Sequence, residues 1–321
     1  MTDDGAPQLV YHPGDLRRER LGLTPADWAF ITTQADAIMH VGAEVSHTKT
    51  YSTLRSVNVA STAELARLCL DAQLSQGRRR PVPFHFVSTG EISMLGDGGE
   101  QGALYEESVR SARVVPDQDD AVAKGYAATK WVCERMLENL AEEKASCQQG
   151  DDAGAAGPLR VWIHRPSSIT TPQDESAMGP DAPILPRVLF YSRLLRAVPS
   201  EMEVGGRIGG SLDFIPLDTA AGDIVDVVMA SCDEAAGGKE SAPAVTMGCV
   251  RSEGGGVTGG TVLELATLRE FLEAEAEQSE GAREEGQKKA RFQAVPLSKW
   301  TDRAEALGLH PLLAGLFRGV E

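Results

Sequence analysis

Strand-like apolar runs alternate along this chain with long helical stretches, and that order constrains the fold more than any other feature. A strand that rejoins its sheet through a helix must run parallel to its predecessor, so the alternation predicts an α/β sheet with crossover helices. Residues 9–16 (LVYHPGDL) read as a short strand ending in a turn. Residues 35–43 (ADAIMHVGA) read as a second strand, apolar nearly throughout, as a strand covered on both faces should be. Residues 56–74 follow as a helix, with Leu65, Leu68, Cys69 and Ala72 spaced by three and four. Residues 82–89 (VPFHFVST) are a third strand, and residues 123–144 a second helix. Residues 159–169 are a fourth strand, stopped at Pro166.

Beyond this the pattern loosens. Residues 171–186 are rich in Pro, Asp and Gly, and residues 186–199 read as a short helix. Residues 214–232 read as a turn into a helix, 244–250 as a strand, and 298–317 as one or two short helices. Residues 148–158 and 275–289 have the composition of solvated insertions.

Charge narrows the partners. The 321 residues carry 31 basic and 47 acidic side chains, a net charge of −16. That excess argues against nucleic acid or an anionic membrane surface, since both require local positive charge. No apolar run approaches the roughly 18 residues of a membrane span, and the start lacks the grammar of a signal peptide. The five cysteines are scattered and never form C-x-x-C, which reads as a cytoplasmic protein with reduced thiols.

Chemistry concentrates at Tyr126 and Lys130, in Y-A-A-T-K at the start of the second helix. A spacing of four puts both side chains on one helix face. A fixed ammonium stabilises a phenolate, so the tyrosine can exchange a proton with a carbonyl oxygen as hydride reaches its carbon. A surface Tyr–Lys pair at this spacing is the competing reading. Thr89 ends the third strand, at the carboxyl edge where doubly wound sheets place ligands, and its hydroxyl can donate to the same oxygen. A turn cap is the alternative there. Asp36, His40 and His47 do not make a metal site, because no converging ligand set follows. The G-x-G-x-x-G at Gly254–Gly259 is separated from its strand by charged residues and reads as a surface loop. Arg78–Arg80 read as a solvated loop rather than a dock for an acidic carrier. Arg17, Arg18 and Arg20 are the candidate phosphate contacts, and Trp131 and Trp300 read as packing.

Taken in order, G-D-L (14–16), I-M-H-V-G-A (38–43), N-V-A-S-T (58–62), F-V-S-T (86–89), K-G-Y-A-A-T-K-W-V-C-E-R (124–135), H-R-P-S-S-I (164–169) and D-F-I-P-L-D (213–218) resemble one family. It is the extended short-chain dehydrogenase/reductases, in particular the thioester reductase domains of fungal polyketide synthase–nonribosomal peptide synthetases and carboxylic acid reductases. The resemblance implies that Thr89 and Tyr126 polarise and protonate a thioester carbonyl, while Lys130 lowers the tyrosine pKa and holds the nicotinamide ribose of NADPH. It implies that Asp15 and Leu16 face the adenine, that Gly42 and Ala43 allow close backbone approach, and that Pro166 borders the nicotinamide. The substrate is then an acyl or peptidyl chain on a carrier protein's phosphopantetheine arm, released as an aldehyde.

The family opens with a strand, a glycine-rich phosphate loop and a helix ahead of G-D-L. Only residues 1–8 precede Leu9, whereas a βαβ unit needs about 30. The expectation is therefore a Rossmann-like doubly wound parallel sheet without its first βαβ unit, residues 1–170, joined to a smaller substrate subdomain, residues 171–321. Late Rossmann elements near 213–250 interleave with that subdomain. Two alternatives remain beside reductive release: a non-redox Dieckmann-type cyclase releasing a tetramic acid, and a catalytically dead remnant.

Overall fold

The computed structural model describes residues 8–46, 49–75, 82–95, 106–110, 124–147, 159–170, 184–202, 211–237, 243–250, 261–280 and 291–318. Four parallel strands form the main sheet in the order β1 (Ile38–His40), β2 (Phe84–Val87), β3 (Val161–Pro166) and β7 (Val245–Val250). Between them run α2 (Tyr51–Ser75) and α3 (Gly125–Cys147), packed against each other. Their apolar stripes cover Ile38, Phe84, Phe86, Val161 and Ile163 in one continuous core. A later helix, α5 (Leu217–Gly237), places Ser231 against His85, which alternates with Phe84 and Phe86 along β2. Helices therefore lie on both faces, and the sheet is Rossmann-like.

The remaining elements build a second core. β4 (Ser168–Thr170), β6 (Ser211–Pro216) and β8 (Thr261–Glu264) form a mixed sheet, and β5 (Ala197–Pro199) pairs with β9 (Gln293–Val295). Around them α4 (Ile184–Leu195), α6 (Leu268–Glu280), α7 (Leu297–Ala306) and α8 (Pro311–Arg318) bury Leu268, Leu272, Leu297 and Trp300. Trp300 is a packing residue: its Nε1 donates to Ala197 O at 3.1 Å, and its ring meets Phe317 edge-on.

Several expectations are corrected. Residues 9–16 form no strand: Leu9, Val10 and Tyr11 are exposed, and a strand-like sequence makes a ladder only where a neighbour supplies partners. The second strand shrinks to Ile38–His40, and Met39 and Val41 are exposed rather than covered. Residues 159–169 divide between two sheets at Pro166. The proposed insertion at 275–289 is helical as far as Glu280. One helix was not anticipated. In α1 (Pro25–Gln34) the Thr24 hydroxyl accepts from Asp27 N at 3.1 Å, and Pro25 supplies the first turn, so T-P-A-D was a readable start signal. His47, Arg78–Arg80, residues 148–158 and Gly254–Gly259 lie outside the described residues.

A polar chain crosses the sheet. Ser231 Oγ donates to Val228 O at 2.7 Å, so it accepts from His85 Nε2 at 2.9 Å. His85 Nδ1 then accepts from His164 Nε2 at 3.0 Å. Burial holds these rings neutral, pulling His85 down to about 3 and His164 to about 4. His40 is pulled down to about 4 by burial and by the Lys130 charge. Unfolded histidine titrates near 6.5, so below that pH the unfolded chain binds more protons than the folded one. Stability from these rings is complete above about pH 6.5 and falls toward pH 4, by about 1.4 kcal/mol per pH unit for each ring. Urea midpoints should drop steeply between pH 6.5 and 4.5, and His85→Gln should flatten that slope. Identical slopes in both proteins would remove the histidine chain from the account.

Candidate active site

The first turns of α3 carry Tyr126 and Lys130 to the carboxyl end of β2. Tyr126 and Lys130 occupy successive turns of α3 and are 8% and 3% exposed, so the pair is buried and not on the surface. Lys130 Nζ donates to Val87 O at 2.7 Å and lies 4.7 Å over the Phe86 ring and 5.9 Å over the Tyr126 ring. The helix reaches this position because its first residue has no side chain: a Cβ on Gly125 would stand 2.2 Å from Lys49 O.

Asn58 of α2 fastens the arrangement. Its Nδ2 donates to Thr129 Oγ1 at 3.1 Å and to Glu44 O at 3.1 Å, while its Oδ1 accepts from Glu44 N at 2.8 Å. Thr129 in turn donates to Tyr126 O at 2.7 Å. One amide thus joins the loop after β1 to the helical turn that carries the tyrosine. The N-V-A-S-T segment held this residue, but no local rule assigns it a role.

Thr89 Oγ1 accepts from Glu91 N at 3.2 Å, which is the turn-cap arrangement. A single accepted bond leaves the hydroxyl proton for another acceptor. Beside it, a Cβ on Gly90 would lie 3.2 Å from Pro166 O, so the ends of β2 and β3 touch closely. Ser88 N donates to His164 O at 2.7 Å, and the buried Ser88 hydroxyl has no hydrogen-bond partner among the described residues. Sequence reasoning named its neighbour and passed over Ser88.

The residues expected at the adenine form a second cluster. A Cβ on Gly42 would fall 3.1 Å from Leu16 Cδ1, so only glycine permits this contact without a shift. Asp15 is exposed and its Oδ1 accepts from Arg17 N at 2.9 Å, while Ala43 is half-buried. Asp15 and Leu16 also line a mostly apolar cavity of about 490 Å³ bounded by His12, Ala37, Ile38 and Leu65. Tyr126 is not among the residues that line this cavity.

Residues 2–224 match the NAD-binding family profile described as male sterility protein. The chain belongs to that family. Within it, a polyketide synthase–nonribosomal peptide synthetase of Aspergillus clavatus is 35% identical over 318 residues, covering 99% of this chain and 6% of the synthetase. The terminal R domain from the myxalamid biosynthetic pathway superposes with a TM-score of 0.58 at 20% identity, covering 95% of this chain and 61% of that one. A thiolation–reductase di-domain from an archaeal nonribosomal peptide synthetase gives a TM-score of 0.56 at 12% identity, covering 96% and 52%. These superpositions show the shared fold. This male sterility family chain therefore spans about 6% of the length of the synthetase it matches.

Burial dominates the electrostatics of the pair: it pushes the Tyr126 phenol above its ordinary range, with Glu91 and Cys133 adding to the effect. The ammonium sits over the ring and is hydrogen-bonded to Val87 O. Burial also draws Lys130 down to about 8, against the raising influence of Cys133 and Glu134. The phenol is therefore fully protonated at neutral pH, which suits a proton donor. Among the described residues no three His, Cys, Asp or Glu side chains converge on a metal position, and no helix is long and apolar enough to cross a membrane.

Proposed function

We propose that this chain carries out the reductive release of an acyl or peptidyl thioester from a phosphopantetheinylated carrier protein, with NADPH as reductant and an aldehyde as product. The observation that carries this reading is the buried Tyr126–Lys130 pair at the carboxyl edge of a parallel sheet, with the phenol held protonated. The relatives support the context, since the matched proteins are synthetases and reductase domains.

The residues present offer seats for the two ends of the dinucleotide. Asp15, Leu16, Gly42 and Ala43 would hold its adenosine end, supported by the cavity at Asp15 and the close approach at Gly42. Lys130 and Pro166 would border the nicotinamide, and the Ser88 hydroxyl, without a partner among the described residues, adds a donor close by. Bound there, NADPH would supply the hydride to the carbonyl carbon. Thr89 would orient the carbonyl oxygen, and Tyr126 would give that oxygen its proton. Collapse of the resulting hemithioacetal breaks the C–S bond, freeing the pantetheine thiol and the aldehyde. The Lys130 charge stabilises the phenolate left on Tyr126.

The test is oxidation of NADPH by the purified protein in the presence of an acyl-coenzyme A or carrier-bound thioester, with the aldehyde trapped as a hydrazone. Thioester-dependent oxidation with matching aldehyde supports the reading. NADPH binding without thioester-dependent oxidation overturns it, and a tetramic acid formed without NADPH moves the assignment to the cyclase.

A further inference from the structure

Tyr126, Lys130 and Glu134 follow one another at intervals of four on α3, so they line one face of the helix. Glu134 is fully buried, and it does not stand alone. Arg165 of β3, 2% exposed, donates Nε to Glu134 Oε1 at 3.1 Å and Nη2 to Glu134 Oε2 at 2.6 Å, a two-point clamp between helix and sheet. The same guanidinium reaches Met247 Sδ of β7 at 3.5 Å. A carboxylate so held has one orientation, one helical turn from the Lys130 position.

We propose that Glu134 is a positioning residue for proton transfer at Tyr126: clamped by Arg165, its carboxylate keeps Lys130 charged in a site that would otherwise strip its proton. This rests on the thioester-reductase reading for its purpose, though not for its measurement. Lys130 faces Tyr126, Cys133 and Glu134 from its own helix, the Phe86 ring and Val87 carbonyl from β2, and the field of His40 from β1. Glu91 acts on Tyr126 from the turn after β2. His40 is neutral at physiological pH and Cys133 is pushed up to about 11 by burial, so neither supplies the opposing charge there. Glu134 is the anion left to do so among these groups.

The two partners of the clamp should act on Lys130 with opposite sign. Glu134→Gln keeps an oxygen for Arg165 but removes the negative charge, so the Lys130 titration should move down by about one pH unit or more. Arg165→Met frees the carboxylate to pair with Lys130, so the titration should move up. The double variant, which buries no unpaired charge, should fall between the two and guards against a single variant that does not fold. The readout is the lysine Nζ resonance of the ligand-free protein followed against pH by NMR and assigned with Lys130→Met. The alkaline limb of the kcat/KM profile for NADPH oxidation should move in parallel. A merely structural clamp would lower stability in both single variants while leaving the Lys130 titration in place, and that result overturns the proposal, as would shifts of the same sign. Absence of turnover in every protein, with the opposite Nζ shifts intact, would instead sink the reductase reading alone.

Discussion

Tyr126→Phe is expected to lower kcat for thioester-dependent NADPH oxidation by roughly 10²–10⁴-fold, with KM changed far less. Phenylalanine fills the same buried volume, so the substitution removes the phenolic proton and little else from a residue that is 8% exposed. Without that proton the carbonyl oxygen must develop its charge as hydride arrives, or take a proton from water. The raised phenol pKa sharpens the expectation, because at neutral pH the wild-type residue is always in its donating form. Folding should be nearly unaffected, which thermal unfolding checks in the same preparation. Retention of a tenth or more of the wild-type kcat would take Tyr126 out of the proton-transfer role.

Glu134→Ala is expected to cost about 3–5 kcal/mol of folding stability. The alanine leaves the Arg165 guanidinium, 2% exposed, without its carboxylate inside the α3–β3 interface. A domain of this kind has roughly 5–15 kcal/mol in total, so one such loss is a large part of it. The corresponding double variant, Glu134→Ala with Arg165→Met, should recover most of the loss, since burial of an apolar side chain replaces burial of an unpaired charge. Urea denaturation of the two proteins beside wild type measures both quantities. If the single variant loses less than about 1 kcal/mol, the pair is solvated in solution and not the buried clamp described above.

Much of this was legible because the relevant rules are local. Helix periodicity identified α2 and α3, and the spacing of Tyr126 and Lys130 already implied a shared face. Short β-rich runs bounded by turn residues marked β2, β3 and β7. The failures share a cause of a different kind. Residues 9–16 have the composition of a strand, but a ladder needs a partner, and composition cannot say whether one lies alongside. The stop at Pro166 was readable, but that Ser168–Thr170 then join a different sheet was not. Thr89 was named for its place at a strand end, yet the cap on Glu91 that orients its oxygen depends on the turn that follows.

By itself the sequence determined the alternating α/β order, the helical pairing of Tyr126 with Lys130 and the run of motifs that marks the family, because each depends on spacing along one chain. Tertiary structure alone decided the chemistry of that pair. Burial raises the phenol and weakens the ammonium, while Val87, Asn58, Glu134 and Arg165, from four separate elements, hold the pair in place and set the charge beside it. Desolvation and charge–charge interaction act through space, and that is why no stretch of sequence could show them.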